Sequence, residues 1–192
     1  PEIVYAKVHD KSKNLYYWLV ESRIDAHFSS PELYEIVERK SGKELAGVRY
    51  KPPFAYFADK EKEGAFRVIL EENVSVEEGT GFVHAAPAFG ELDFYACQKE
   101  GISLVCPVDN NGCFTAEIPE YQGQFVKDAD KEIIKRLKAA ECLFRQGTIH
   151  HRYPFCWRSD TPLIYRAVPS WFVRVRDSVP QLLENNLKSR WV

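Results

Sequence analysis

The residues best equipped for chemistry run together in one stretch, Gly79-Thr80-Gly81-Phe82-Val83-His84-Ala85-Ala86-Pro87-Ala88-Phe89-Gly90-Glu91-Leu92-Asp93. Glycines on either side of Thr80 let the backbone come close to a ligand, because no Cβ stands in the way. Three alanines leave space, and Pro87 forces the chain to turn. A strand ending at His84 and a helix opening near Asp93 would then face each other across a loop, a common way to build a pocket. Each piece also has an ordinary reading. An acid in a first helical turn offsets the helix dipole and the free amides there, and on spacing alone this reading of Asp93 is favoured. A histidine at a strand end commonly serves as a hydrogen-bonded structural group. The glycines do not complete a phosphate-binding fingerprint, since the third glycine and a GK[ST] ending are missing.

Other reactive groups are less organised. His150, His151 and Cys156 invite a metal, but adjacent histidines on a strand point to opposite faces and no fourth ligand stands at the usual spacing. A cysteine–histidine nucleophile pair has no local motif to select the cysteine. Tyr153, Trp157, Tyr165, Trp171 and Phe172 alternate with Arg152, Arg158, Arg166, Arg174 and Arg176, a pattern able to stack and neutralise single-stranded nucleic acid. Core aromatics with arginines on the solvent face are the simpler reading. The five cysteines are odd in number and lack a C-x-x-C pair, so neither a disulfide framework nor a zinc ribbon is encoded. A reducing, intracellular setting fits them best.

The elements that must position these groups can be read from periodicity. Residues 3–9 and 15–20 are strand-like and joined by a polar loop at 10–14. Ser30, Pro31, Glu32 and Glu35 read as a helix start, with Leu33, Ile36 and Val37 on its apolar face and Gly42 closing it. Short strands are expected at 45–50, 66–70, 74–76 and 81–85. A helix is expected over 90–100, with Leu92, Tyr95 and Ala96 inward, then a strand at 103–108 and a turn at Asn110-Asn111-Gly112. The clearest helical periodicity covers 128–142, starting at Asp128 or Asp130, with Ile133, Ile134 and Leu137 inward. Strands at 148–152, 163–166 and 171–175 and a short helix around Leu182 and Leu183 complete the pattern. Together they predict one mixed α/β domain of the α+β type, without repeats.

Composition sets the bounds. The 192 residues are 45% hydrophobic and 14% aromatic, which excludes intrinsic disorder of the whole chain. No apolar run approaches the roughly 20 residues of a membrane span, and no secretory leader opens the chain. Residues 1–126 carry 13 basic and 21 acidic side chains; residues 127–192 carry 13 and 7. The nets are therefore −8 and +6, an asymmetry suited to gripping a polyanion at one end, although charge alone favours a solvated basic helix. With Pro1 first and no methionine anywhere, the chain is expected to be a piece of a larger one.

The stretch 79–93 closely resembles the G-T-G-x-V-H-x-A-P-x-x-G-x-x-D motif of the editing insertion of isoleucyl-tRNA synthetases. Tyr153-Pro154-Phe155-Cys156-Trp157-Arg158, then Thr161-Pro162-Leu163-Ile164-Tyr165-Arg166-Ala167, and Ser170-Trp171-Phe172-Val173-Arg174-Val175 resemble further blocks of that family. Gly123-Gln124-Phe125-Val126, followed by Ala129-Asp130, falls in family order. Valyl and leucyl relatives share G-T-G-x-V but differ at the following histidine and in the A-P-x-x-G segment. The Ala-Phe-Gly version is similar to the eukaryotic cytosolic and archaeal branch. Two departures stand out. The family's threonine-rich strand, which precedes the position of Pro1, is not in this sequence. Ser159 stands where many relatives have a second cysteine, which removes a local zinc pair.

The resemblance implies a β-barrel-like editing domain with peripheral helices spanning 1–192, with about 160–192 returning toward the synthetase body. It implies a cytoplasmic hydrolase that removes valine from mischarged isoleucine tRNA, with the valyl adenylate as a further substrate, as part of an isoleucine–tRNA ligase. The alternative is a non-catalytic module that binds the tRNA end or serves as a structural insert. The need for a second site is physical, because one methylene changes binding by only about 1–3 kcal/mol. Asp93 is implied as the anchor of the substrate α-ammonium. His84, Thr80, Gly79, Gly81, Ala86, Phe89 and Gly90 are implied to line the substrate pocket. An aspartate beside an ammonium is a poor proton acceptor at neutral pH, so anchoring suits it better than general-base work. The implied partners are the tRNA(Ile) acceptor end and the rest of the synthetase, with no membrane, metal or organic cofactor.

Overall fold

In the computed structural model, which describes residues 2–148 and 150–190, the chain opens as a hairpin. Strand β1 (Val4–Asp10) pairs antiparallel with β2 (Leu15–Val20), Tyr5 opposite Val20 and Asp10 opposite Leu15. Asp10 organises the connecting loop. Its buried carboxylate accepts from the Ser12 amide and hydroxyl and from the Lys13 amide, at 2.9, 2.6 and 3.2 Å. The Ser12 hydroxyl, with those two amides, holds the Asp10 carboxyl below the usual aspartate range.

The helix expected after Ser30 does not form. Ser30 does accept from the Glu32 amide and Pro31 does start a turn, but the turn ends at Leu33. Residues Tyr34–Ser41 then become strand β3, antiparallel to the other side of β1. The free edge of β1 needs hydrogen-bond partners, and a stretch carrying Tyr34, Ile36 and Val37 fits a pleated surface well. A register shift beside Lys7 and Val8 accommodates Val37 as the extra residue. Gly42 starts a helical turn instead of closing one. Ser41 and Glu44 form a reciprocal capping box over Gly42–Leu45.

The resulting sheet has order β2-β1-β3 and is open, so the barrel-like closure expected from the resemblance is not seen in it. Its two faces are buried by different partners, as alternation along β1 requires. Ala6, Val8 and Leu19 pack with Ile24 and Phe28 on one face; Tyr5 and Val20 pack with Leu45 on the other. Helix α1 (Ile24–His27) lies between β2 and β3 in sequence. The stretches expected as strands at 66–70, 74–76, 81–85, 103–108, 163–166 and 171–175 are irregular backbone, as is most of 45–50, with isolated bridges such as Arg49 to Arg67 and Val108 to Phe114. The strand expected at 148–152 includes Ile149, which lies outside the described residues; its described neighbours are irregular.

Beyond the sheet, α2 (Glu91–Lys99), α3 (Val126–Ala139) and α4 (Val179–Lys188) match the three later helices expected. The inward face of α2 differs from expectation. Cys97 is buried and Asp93 half-buried, while Leu92 and Tyr95 are exposed, because the line 93–97 faces the protein. Helix α3 starts at Val126, ahead of the expected Asp128 or Asp130, neither of which caps it, and stops three residues early. Glu141 takes a left-handed conformation, and its amide and that of Cys142 bond back to the Lys138 and Leu137 carbonyls. Ala129 and Ile133 of α3 pack on Ile118 and Tyr121. Arg136 donates to the Tyr56 and Tyr121 hydroxyls at 3.0 and 3.2 Å, tying the 50s loop to this unit.

Candidate functional site

The G-T-G tract lies against the end of the sheet, and every carbonyl in it is taken. His27 Nε2 donates to the Gly79 oxygen at 2.9 Å, the Val20 amide to that of Thr80 at 2.8 Å, and the Tyr5 hydroxyl to that of Gly81 at 2.7 Å. Gly81 is buried with φ +80, and a Cβ built there would stand 2.8 Å from the Val20 Cβ. No other residue fits so close to the strand. Phe82 then packs its ring 4.7 Å from that of Tyr5. None of these partners carries a signal in the sequence; Tyr5 and His27 lie 76 and 52 residues away from the glycines they hold.

From Val83 the backbone leaves the sheet. His84 is exposed and, among the described residues, makes no hydrogen bond, ion pair or ring contact, so none joins it to Asp93. Ala86 to Phe89 form a turn closed by the Phe89 amide on the Ala86 carbonyl at 2.9 Å. Ala88 is buried at its centre, and its carbonyl accepts from the Ala167 amide at 2.7 Å. Gly90 caps α2, and Asp93 sits at its third position.

The Asp93 side chain folds back over this turn. Its Oδ2 accepts from the Ala86 amide at 3.2 Å, and a Cβ on Gly90 would stand 2.9 Å from the same oxygen. The carboxylate closes the turn that precedes α2 and makes no hydrogen bond to the helix's own first amides. Its Oδ1 has no partner among the described residues, and no lysine or arginine among them pairs with it. Asp93 is half-buried, so an incoming cation would meet a carboxylate already oriented and partly shielded from water. Burial, and secondarily the Asp93 charge, pushes the neighbouring Cys97 thiol up.

Two hollows lie elsewhere. One of about 550 Å³ is lined by Lys138, Phe144, Arg145 and their neighbours. The other, about 630 Å³, lies between the 109–112 turn, Phe125 and residues 156–168. Thr80, His84 and Asp93 line neither. Among the described residues, no group of three His, Cys, Asp or Glu side chains is placed to hold a metal ion. The five cysteines are free, and the Ser159 hydroxyl holds the Cys156 thiol below its ordinary value. No helix among the described residues is long and apolar enough to cross a membrane.

No protein-family model matches the chain. Curated relatives do. An isoleucine–tRNA ligase of Protochlamydia amoebophila is 56% identical over 191 residues, covering all of this chain and 18% of the relative. Those of Chlamydia caviae and Chlamydia pneumoniae are 50% and 52% identical, again covering 18% of each relative and 100% and 99% of this chain. These organisms are bacteria, so the expected eukaryotic cytosolic or archaeal-like branch does not match them. The chain spans about 18% of the length of the curated relatives it matches. Over its whole length, the chain is similar to one segment of an enzyme, isoleucine–tRNA ligase.

Proposed function

We propose that the chain is the hydrolytic editing domain of an isoleucine–tRNA ligase, removing valine from mischarged tRNA(Ile). The observation that carries this reading is Asp93, a half-buried carboxylate held by the Ala86 amide with one oxygen left free of protein partners. That free oxygen receives the α-ammonium of the misattached amino acid. Anchored there, the ester carbonyl is presented to water; the water adds to the carbonyl carbon and the bond to the ribose oxygen breaks, with a proton returning to that oxygen. Misplacing an ester by about 1 Å costs on the order of 100-fold, so the anchor sets the rate without itself moving a proton. Thr80, Gly79, Gly81, Ala86, Phe89 and Gly90 form the backbone wall, and His84 the side-chain gate.

The partners are the tRNA acceptor end and the rest of the synthetase. Trp171, Phe172 and Val173 are 104, 88 and 85% exposed, an apolar run that supports a return of about 160–192 toward the synthetase body. The open surroundings of Val83, 68% exposed, and His84 favour a second reading, a non-catalytic module that binds the acceptor end.

The full-length synthetase decides between them. Release of valine from Val-tRNA(Ile) is expected to fall about 100-fold in Asp93→Ala and Asp93→Asn. Unchanged deacylation in both would remove Asp93 from the site. Deacylation unaffected, with weakened tRNA binding, would favour the binding module.

A further inference from the structure

The three carbonyls of the G-T-G tract are not held by equivalent donors. Val20 and Tyr5 belong to strands whose backbone is locked by the sheet ladder. The donor to Gly79 is a side chain on the four-residue α1. Among the described residues no other hydrogen bond reaches Gly79, and nothing lies within 4 Å of where its Cβ would stand. Packing therefore does not fix this glycine, whose φ is +61. The imidazole is itself well placed. Its ring centroid lies 5.4 Å from that of Phe144, and Arg145 donates to the Ala26 and His27 carbonyls at 2.8 and 3.0 Å. A carbonyl can only accept, so Nε2 carries the proton; Nδ1 is buried without a hydrogen-bond partner. The ring's one N–H is spent on Gly79.

We propose that His27 is a positioning residue for the editing site: it holds the Gly79 carbonyl so that the tract presents its backbone to the substrate, with Phe144 and Arg145 fixing the ring. The role rests on the editing reading above and acts through Gly79, without contact to substrate. In it, the segment after α3 sets the geometry of a loop some sixty residues earlier.

The test uses the full-length synthetase with His27→Ala, His27→Gln and Asp93→Ala. A glutamine amide can donate to the same carbonyl. Hydrogen exchange is followed in a peptide covering β2, whose Val20 amide donates to the Thr80 carbonyl, and in peptides from β1 and β3, and kcat and KM for Val-tRNA(Ile) deacylation are measured separately. His27→Ala is expected to speed exchange of the Val20 amide about 10-fold with β1 and β3 unchanged, and to lower kcat/KM about 10-fold. His27→Gln is expected to restore both to within about 3-fold. Unchanged exchange at Val20, equal acceleration throughout the sheet, or failure of glutamine to restore it overturns the proposal. So does a loosened tract with normal deacylation when Asp93→Ala is slow. If neither Asp93→Ala nor His27→Ala slows deacylation while the tract loosens and glutamine restores it, His27 still positions the tract and it is the editing reading that fails.

Discussion

At the scale of single residues, the proposed site depends on one residue with a free group and one with no side chain. Asp93 has an unpartnered oxygen because Ala86 occupies only its Oδ2 and no cation among the described residues reaches it. Gly81 makes the opposite contribution, since its missing Cβ allows the tract to lie on Val20 and Tyr5. Gly81→Ala combines a left-handed φ with a 2.8 Å clash against a β-branched core residue, and is expected to cost about 2–3 kcal/mol. Urea unfolding of the variant would show this as a lower midpoint with an unchanged slope. A cost below about 0.5 kcal/mol would mean that the tract does not pack there.

At the scale of elements, two local devices decide where structure starts and stops. The first is the β1–β2 loop, organised by Asp10. Its carboxyl is held below the ordinary value by the Ser12 hydroxyl and neighbouring amides, so its contribution is present above about pH 3.9 and is lost as pH falls through the lower folded value. Asp10→Asn is expected to be about 1 kcal/mol less stable at neutral pH, and the gap to the parent should close in acid. Parallel unfolding curves at pH 7 and near pH 2 check the sign. The second device is the end of α3, where Glu141 occupies a left-handed position that glycine takes at little cost. Glu141→Gly is expected to raise stability by about 0.5–1 kcal/mol, visible as a higher thermal midpoint. A lower midpoint would show that the helix does not end there.

At the scale of the whole molecule, a packed sheet and a second small core contrast with a carboxyl-terminal segment whose apolar residues face outward. If that segment rests on the synthetase body, acrylamide should quench Trp171 freely in the 192-residue chain and several-fold more slowly in the full-length synthetase; equal quenching would sever the segment from that role. Local sequence determined the β1–β2 hairpin, the Asn110-Asn111-Gly112 turn and the presence of the three later helices, because turn residues, bounding glycines such as Gly90 and Gly101, and the 3.6-residue periodicity of α3 act between near neighbours. It also marked residues 79–93, since a motif is a property of consecutive side chains. The tertiary structure decided the rest. Ser30 and Pro31 signal a helix, but the open edge of β1 recruited residues 34–41 as a strand, a demand that arises only once the hairpin exists. Likewise, which donors hold the G-T-G carbonyls, and which oxygen of Asp93 stays free, depends on atoms brought together from Tyr5, Val20, His27 and Ala86. Hydrogen bonds reach about 3 Å whatever the distance along the chain, so no local pattern could have announced them.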